Sequence, residues 1–181
     1  MKTVTDPPIV SIVGTSGVGK TTILEKLIPE LTRRGLRVGT VKHHAHGEFE
    51  MDRPGKDSWR HKKAGAATSI VSSPQRIGIL MDVDHDHKPN ELKSLFSNID
   101  IILTEGYKRE DNPKIEVFRS EINGEPVCKG DKHLLALVSD ESVDLGIPRY
   151  STDDIEGLAD FLITGFTLVS NQTTHNLKAA S

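Results

Sequence analysis

One stretch constrains this chain more than any other: Gly14-Thr15-Ser16-Gly17-Val18-Gly19-Lys20-Thr21 satisfies the pattern G-x-x-x-x-G-K-[ST] in full. Its setting matters as much as its letters. Ile9–Val13, just before it, is a short apolar run of the buried-strand type. After it, Thr21–Arg34 carries Ile23, Leu24, Leu27, Ile28 and Leu31 at helical spacing. A strand that passes through a glycine-rich turn into a helix makes an anion nest, because the glycines let successive amide N–H groups point inward at the helix N-terminus. In such a nest Lys20 reaches the β- and γ-phosphates and the Thr21 hydroxyl ligates Mg2+. Chance matches the pattern in a chain of this length with a probability on the order of 1%. The strand–helix setting lowers that figure further, so the expectation is binding of a nucleoside triphosphate with Mg2+.

The rest of the chain reads as alternating strands and helices. Pro29 falls inside the first helical pattern and is expected to kink it, and Arg33, Arg34 and Gly35 are stop signals. Leu36–Val41 reads as a second strand, so residues 9–41 form a strand–helix–strand unit of crossover size. Residues 42–56 form a polar loop, and Asp57–Ala67 a helix capped by Asp57 or Ser58. Ile70–Val71 and Ile77–Met81 are short strands, and a short helix follows near Asn90–Phe96. Ile99–Thr104 is a central strand, apolar on both faces. Lys114–Arg119 and Leu134–Ser139 are further strands around a Gly- and Pro-containing excursion at Ser120–Gly130, and Thr152–Ile163 is a final helix capped by Thr152. The predicted fold is α/β: a P-loop NTPase with a mostly parallel sheet flanked by helices. Residues 1–165 make a single nucleotide-binding domain, and 166–181, rich in Asn, Gln, Thr, Ser and Ala, a disordered tail.

Composition narrows the ligand class. The 23 basic and 26 acidic residues nearly balance and aromatics are 4%, which argues against nucleic acid as a partner. The single cysteine, Cys128, excludes an intramolecular disulfide framework and any multi-cysteine metal centre. No apolar run approaches a membrane span, and MKTVTDPP has no signal-peptide core. The expectation is a cytoplasmic protein with no membrane association.

Other residues complete the site. Phosphate-loop enzymes hold Mg2+ or its water with a carboxylate at the end of a neighbouring strand. Asp100 and Glu105 bracket the strand I-D-I-I-L-T-E-G, and Glu105 stands at its carboxyl end, where ligands of parallel sheets gather. Lys42-His43-His44-Ala45-His46 follows the second strand. Three histidines so close suggest a transition-metal site; the alternative, favoured because the ligand set is incomplete, is a polar loop whose Lys42 and His43 face phosphates. Asp82-Val83-Asp84-His85-Asp86 mimics a calcium loop, but His87 and Lys93 stand where Gly and Glu are needed. RPGKDSWRHKK, Arg53–Lys63, is a basic run, either a solvated face or a contact to an anion. Asp52 and Asp57 beside it are candidates for steadying Mg2+, and Trp59 reads as core or interface. The Asn-Lys-x-Asp guanine signature is absent; Asp140, closing LLALVSD, either presents a carboxylate to guanine or caps a turn.

GTSGVGKTTILEKLIPEL, VKHH, MDRPGKDSWRHKKAGA, ILTEGYK and DIEGLADF, in that order, resemble the molybdopterin-guanine dinucleotide biosynthesis protein B (MobB) family. The likeness runs from about Ile9 to Ile163. It implies a homodimeric GTP-binding protein that uses Mg2+ and hydrolyses GTP slowly at best. Such a protein assists a MobA-type guanylyltransferase, which joins GMP to molybdopterin, or helps deliver the finished dinucleotide. By position Gly14, Gly17, Gly19, Lys20, Thr21 and Thr22 match the family's phosphate loop, Glu105 its acidic strand end, and Asp52 to Lys56 its DxPGKD loop. The site therefore comprises Gly14 to Thr22, Lys42 and Asp140 for the nucleotide, Thr21, Asp52 and Glu105 for the metal, and Lys20 with Glu105 for slow hydrolysis. Two other classes compete: a small-molecule kinase, with Arg60 and Arg109 as lid arginines, and a nickel-chaperone GTPase suggested by the histidines.

Overall fold

A computed structural model describes residues 6–44 and 49–168. The tail expected at 166–181 therefore lies mostly outside the described residues, as does His46. Contacts divide the chain into two compact units, residues 1–43 with 88–181, and residues 44–87.

The larger unit is built on strands β1 (Ile9–Val13), β2 (Val38–Lys42), β5 (Ile101–Glu105), β6 (Lys114–Val117), β7 (Leu134–Val138) and β8 (Arg149–Tyr150). They form one sheet in the order β2-β5-β1-β6-β7-β8, and every pairing in it is parallel. Helices α1 (Lys20–Arg33) and α3 (Ile155–Gly165) belong to the same unit. All strands thus end at the same edge, and the glycine loop follows β1 near the sheet's middle.

Alternation along the strands separates two faces. Val10 and Ile12, Ile101 and Leu103, Ile115 and Val117, and Ala136 and Val138 point to one side. There they form a single core with Ile23, Leu24, Leu27 and Leu31 of α1 and Leu158, Ala159 and Leu162 of α3. Pro29 lies within α1 on its exposed side, and the helix continues to Arg33, because the carbonyl left without a donor can face water. The opposite face buries polar groups. Thr104 donates to Ser11 across the β1–β5 register at 2.9 Å. Glu116 accepts from the amides of Val127 (2.6 Å) and Cys128 (2.9 Å), which stitches the Ser120–Gly130 excursion to β6. Burial pushes the Glu116 carboxyl above its usual range, against those two amides.

The Lys114 side chain is 1% exposed, and its ammonium lies 2.8 Å from Asp131 Oδ2. The Lys114 hydrogen bond and the His133 amide hold the Asp131 carboxyl below the usual range. A depressed folded-state pKa adds stability above the unfolded value, near 4, that is lost as pH falls through the folded one. Asp131→Asn keeps an acceptor but leaves a buried ammonium without its charge, and is expected to cost about 1–2 kcal/mol at neutral pH. Urea unfolding should show that loss shrinking as the wild type is acidified.

Three local expectations are corrected. The final helix is capped by Asp154, whose side chain accepts from the Gly157 amide at 3.1 Å, not by Thr152. The Thr152 hydroxyl is already donated to Asp140, at 2.7 Å. Helix α2 (Asp57–Lys63) has Lys56 at its N-cap, so neither Asp57 nor Ser58 caps it, and it stops four residues short of Ala67. Glu91–Leu95 is a 3-10 turn, while the two-residue β8 was not anticipated.

In the second unit α2 lies beside strand β3 (Thr68–Ser72), which pairs antiparallel with β4 (Ile77–Met81). The register Thr68↔Met81, Ile70↔Ile79, Ser72↔Ile77 sets Ile70, Ile77, Ile79 and Met81 on one face. These four side chains are 61, 68, 53 and 48% exposed.

Candidate functional site

The site is assembled where β1, β5 and β2 end. After Val13 the chain turns at Gly14 with φ +137°. A Cβ there would come 2.4 Å from the Val117 carbonyl oxygen, so only glycine lets the loop cross the end of β6 this closely. Gly19, in the left-handed conformation, occupies the N-cap of α1, and no side chain caps that helix. Val18 is buried in the core beneath, so it offers the loop's concavity only its backbone. Thr15, Ser16, Thr21 and Thr22 lie at or near the surface.

Lys20 curls over the loop, its ammonium donating to the carbonyls of Gly14 (3.1 Å) and Thr15 (2.8 Å). Partial burial lowers its pKa; Lys108 and Lys42 act in the same direction and Glu105 opposes them. The Thr21 hydroxyl donates to Glu105 Oε2 at 2.9 Å, and Lys42 Nζ lies 3.3 Å from Glu105 Oε1. The sheet register explains this meeting, since Lys42 and Ile12 both pair with Glu105. Asp100 precedes β5 at the opposite edge and accepts from the Arg37 amide at 2.7 Å. Thr21 and Glu105 present hard oxygen donors at one point, a set that suits Mg2+ supplemented by phosphate and water.

Sequence reasoning missed the clamp behind Glu105. The His43 amide donates to the Glu105 carbonyl (3.0 Å), and the Gly106 amide to Ile12 (3.0 Å). Tyr107 follows with φ +58°, and its ring stacks on His43, centroids 4.2 Å apart at 17°. The only sequence signal was a histidine after one strand and a Gly-Tyr pair after another, which carries no contact information until β2 and β5 are known to be neighbours.

Other candidates are placed differently. Both Asp140 oxygens accept from Thr152, one from its amide (2.8 Å) and one from its hydroxyl (2.7 Å), which holds the Asp140 carboxyl below its usual range. Asp52, Asp57 and the rest of the basic run belong to the second unit. There Asp52 accepts from the Arg53 amide at 2.8 Å, and Lys63 sits 5.6 Å over the Trp59 ring. Among the described residues no three or more His, Cys, Asp or Glu side chains converge as a metal-binding group. No described helix is long and apolar enough to cross a membrane.

Residues 9–140 match the family described as "Molybdopterin guanine dinucleotide synthesis protein B" (MobB). The chain is 40% identical over 162 residues to the molybdopterin-guanine dinucleotide biosynthesis adapter protein of Escherichia coli, spanning 86% of this chain and 91% of that one. It is 36% identical over 157 residues to the Haemophilus influenzae adapter protein, spanning 86% and 87%. A crystal structure of molybdopterin-guanine biosynthesis protein B superposes with a TM-score of 0.70 at 30% identity, over 88% of this chain and 99% of that chain. The crystal structure of Bacillus subtilis MobB gives 0.69 at 25%, over 87% and 96%.

Proposed function

The chain belongs to the MobB family, and on that premise we propose that it is a cytoplasmic, GTP-binding adapter that serves a MobA-type guanylyltransferase in making molybdopterin guanine dinucleotide. The observation that carries the nucleotide part is the contact of Thr21 with Glu105 beside Lys20: a metal-ligating hydroxyl, a strand-end carboxylate and a phosphate-binding ammonium in one place. Thr21 and Glu105 would hold Mg2+, which supplies charge neutralisation at the β- and γ-phosphates. Lys20 and the Gly14–Gly19 amides hold the phosphates, and Lys42 adds positive charge next to Glu105.

In this reading the protein alone hydrolyses GTP slowly, with Lys20 and Glu105 as the groups that act on it. The exposed apolar face of the β3–β4 ribbon supports the homodimer. A two-stranded ribbon is marginal alone, and this one presents four large side chains to solvent.

Titration of GTP and ATP with Mg2+ and with EDTA tests the reading. GTP is expected to bind more tightly than ATP. In Glu105→Gln, affinity with Mg2+ falls about tenfold, the loss of one charged ligand, and affinity in EDTA stays within about twofold. Equal effects in both conditions would remove the metal role of Glu105. Adding the protein to a MobA-type guanylyltransferase should raise the yield of dinucleotide in the presence of GTP. Rapid multiple-turnover GTP hydrolysis by the protein alone would overturn the adapter reading.

A further inference from the structure

The two groups assigned from outside the glycine loop lie on one side of it. Glu105 and Lys42 end β5 and β2, on the β5 side of β1. A nucleotide is longer than its phosphates, and ligands of parallel sheets lie across the carboxyl ends of the strands. With the phosphates in the Gly14–Thr21 loop and the metal on the β5 side, the nucleoside is directed to the other neighbour of β1, the edge where β6 and β7 end.

Backbone and side-chain hydrogen bonds hold that edge together, and the Arg119 side chain projects from it, while the Arg149 guanidinium there is taken up by the Ser139 carbonyl (2.9 Å). The Phe118 amide donates to the Val138 carbonyl (2.9 Å), and the Ser120 amide to Glu141 Oε1 (2.6 Å), so the segments leaving β6 and β7 are fastened together. Between them, the Arg119 carbonyl accepts from the amides of Ile122 (3.1 Å) and Asn123 (3.2 Å). The backbone of Arg119 is thus held while its side chain is exposed. Its guanidinium hydrogen-bonds to no described side chain, yet it reaches the phosphate loop: a methyl group on Gly19 would lie 3.7 Å from Arg119 Nη2. It also lies within the field of Asp140, which Thr152 holds in place.

A planar cation next to the phosphate loop and near a held carboxylate suits a flat aromatic ring, because guanidinium groups stack on π faces. We propose that Arg119 is a nucleoside-contacting residue, its guanidinium plane lying against the purine of a nucleotide whose phosphates occupy the Gly14–Thr21 loop. The inference rests on the nucleotide-binding reading and adds the residue that holds the other half of the ligand.

The test compares GTP with inorganic tripolyphosphate, each titrated with Mg2+ into wild type and Arg119→Ala, tripolyphosphate by competition against a fluorescent nucleotide. Arg119→Ala is expected to weaken GTP about tenfold, the size of a desolvated cation–π contact, and to leave tripolyphosphate within about twofold. The unfolding midpoint should not move, since the side chain is exposed. Equal weakening of both ligands would make Arg119 a phosphate contact and overturn the proposal, as would no weakening of either. Wild type that binds neither GTP nor ATP would overturn the nucleotide reading as well; wild type that binds GTP, with Arg119→Ala indistinguishable from it, overturns only the role of Arg119.

Discussion

Lys20→Ala is expected to lower affinity for GTP with Mg2+ by about 100- to 1,000-fold, because the ammonium donates charge-assisted hydrogen bonds to two phosphates. Two such bonds at about 1.5 kcal/mol each, the low end for charged groups, give about 3 kcal/mol, which falls inside that range. The fold should survive. Lys20 is no part of the hydrophobic core, and its two acceptors, the carbonyls of Gly14 and Thr15, sit in a loop that water reaches. Its pKa is lowered chiefly by burial, so removing it relieves a desolvated charge and the unfolding midpoint should hold or rise slightly. A second readout follows from the same shift. Polyphosphate binds the charged ammonium, so wild-type affinity should decline with rising pH at a lower pH than an ordinary lysine would give. Lys20→Ala should lack that decline. Calorimetric titration across alkaline pH measures both effects; unchanged affinity in the variant would remove the loop from the binding site.

The parts of this site that were legible in the sequence are those whose geometry is local. Gly14 to Thr21 needs only a strand before it and a helix after it, and the apolar spacing on either side supplied both. Glu105 was readable as a strand end, because parallel sheets put their chemistry at carboxyl edges. Meetings across the sheet were not legible. The contacts of Lys42 with Glu105 and of His43 with Tyr107 depend on β2 lying next to β5, an order that no spacing reveals. Arg119 was hidden for the same reason: it reads as the end of a strand, and its importance comes from β6 flanking β1. Thr152 was misread as a helix cap because hydroxyl residues suit that position, and only the tertiary structure shows Asp140 holding it instead. Lys114 and Glu116 lie on a strand that the sequence shows, but the sequence does not show that both are buried. Their burial follows from the excursion at Ser120–Gly130 folding back over β6, which composition did not signal.

The β3–β4 ribbon was read as two strands, but its alternation has a consequence only the register exposes. Ile70, Ile77, Ile79 and Met81 share one face, with Ile70 directly opposite Ile79. Such a face is a liability in a monomer and an asset between copies. Burying the exposed parts of four such side chains on each of two copies is worth on the order of 10 kcal/mol. That is comparable to the roughly 4–15 kcal/mol that association costs, so the face sits where small changes decide the oligomeric state. Ile70→Asp with Ile79→Asp would set a carboxylate pair at its centre, and two copies would bring four unpaired charges into a dehydrated contact. The expected result is a rise of at least about 1,000-fold in the dimer dissociation constant, at several kcal/mol for each uncompensated buried charge. Sedimentation equilibrium at micromolar concentration should then show monomer for this variant and dimer for wild type. Ile122→Asp provides the comparison, since Ile122 is an exposed apolar residue outside the ribbon, and that variant should remain dimeric. A monomeric wild type, or a dimer indifferent to both aspartates, would mean that the ribbon is covered by something other than a second copy of this chain.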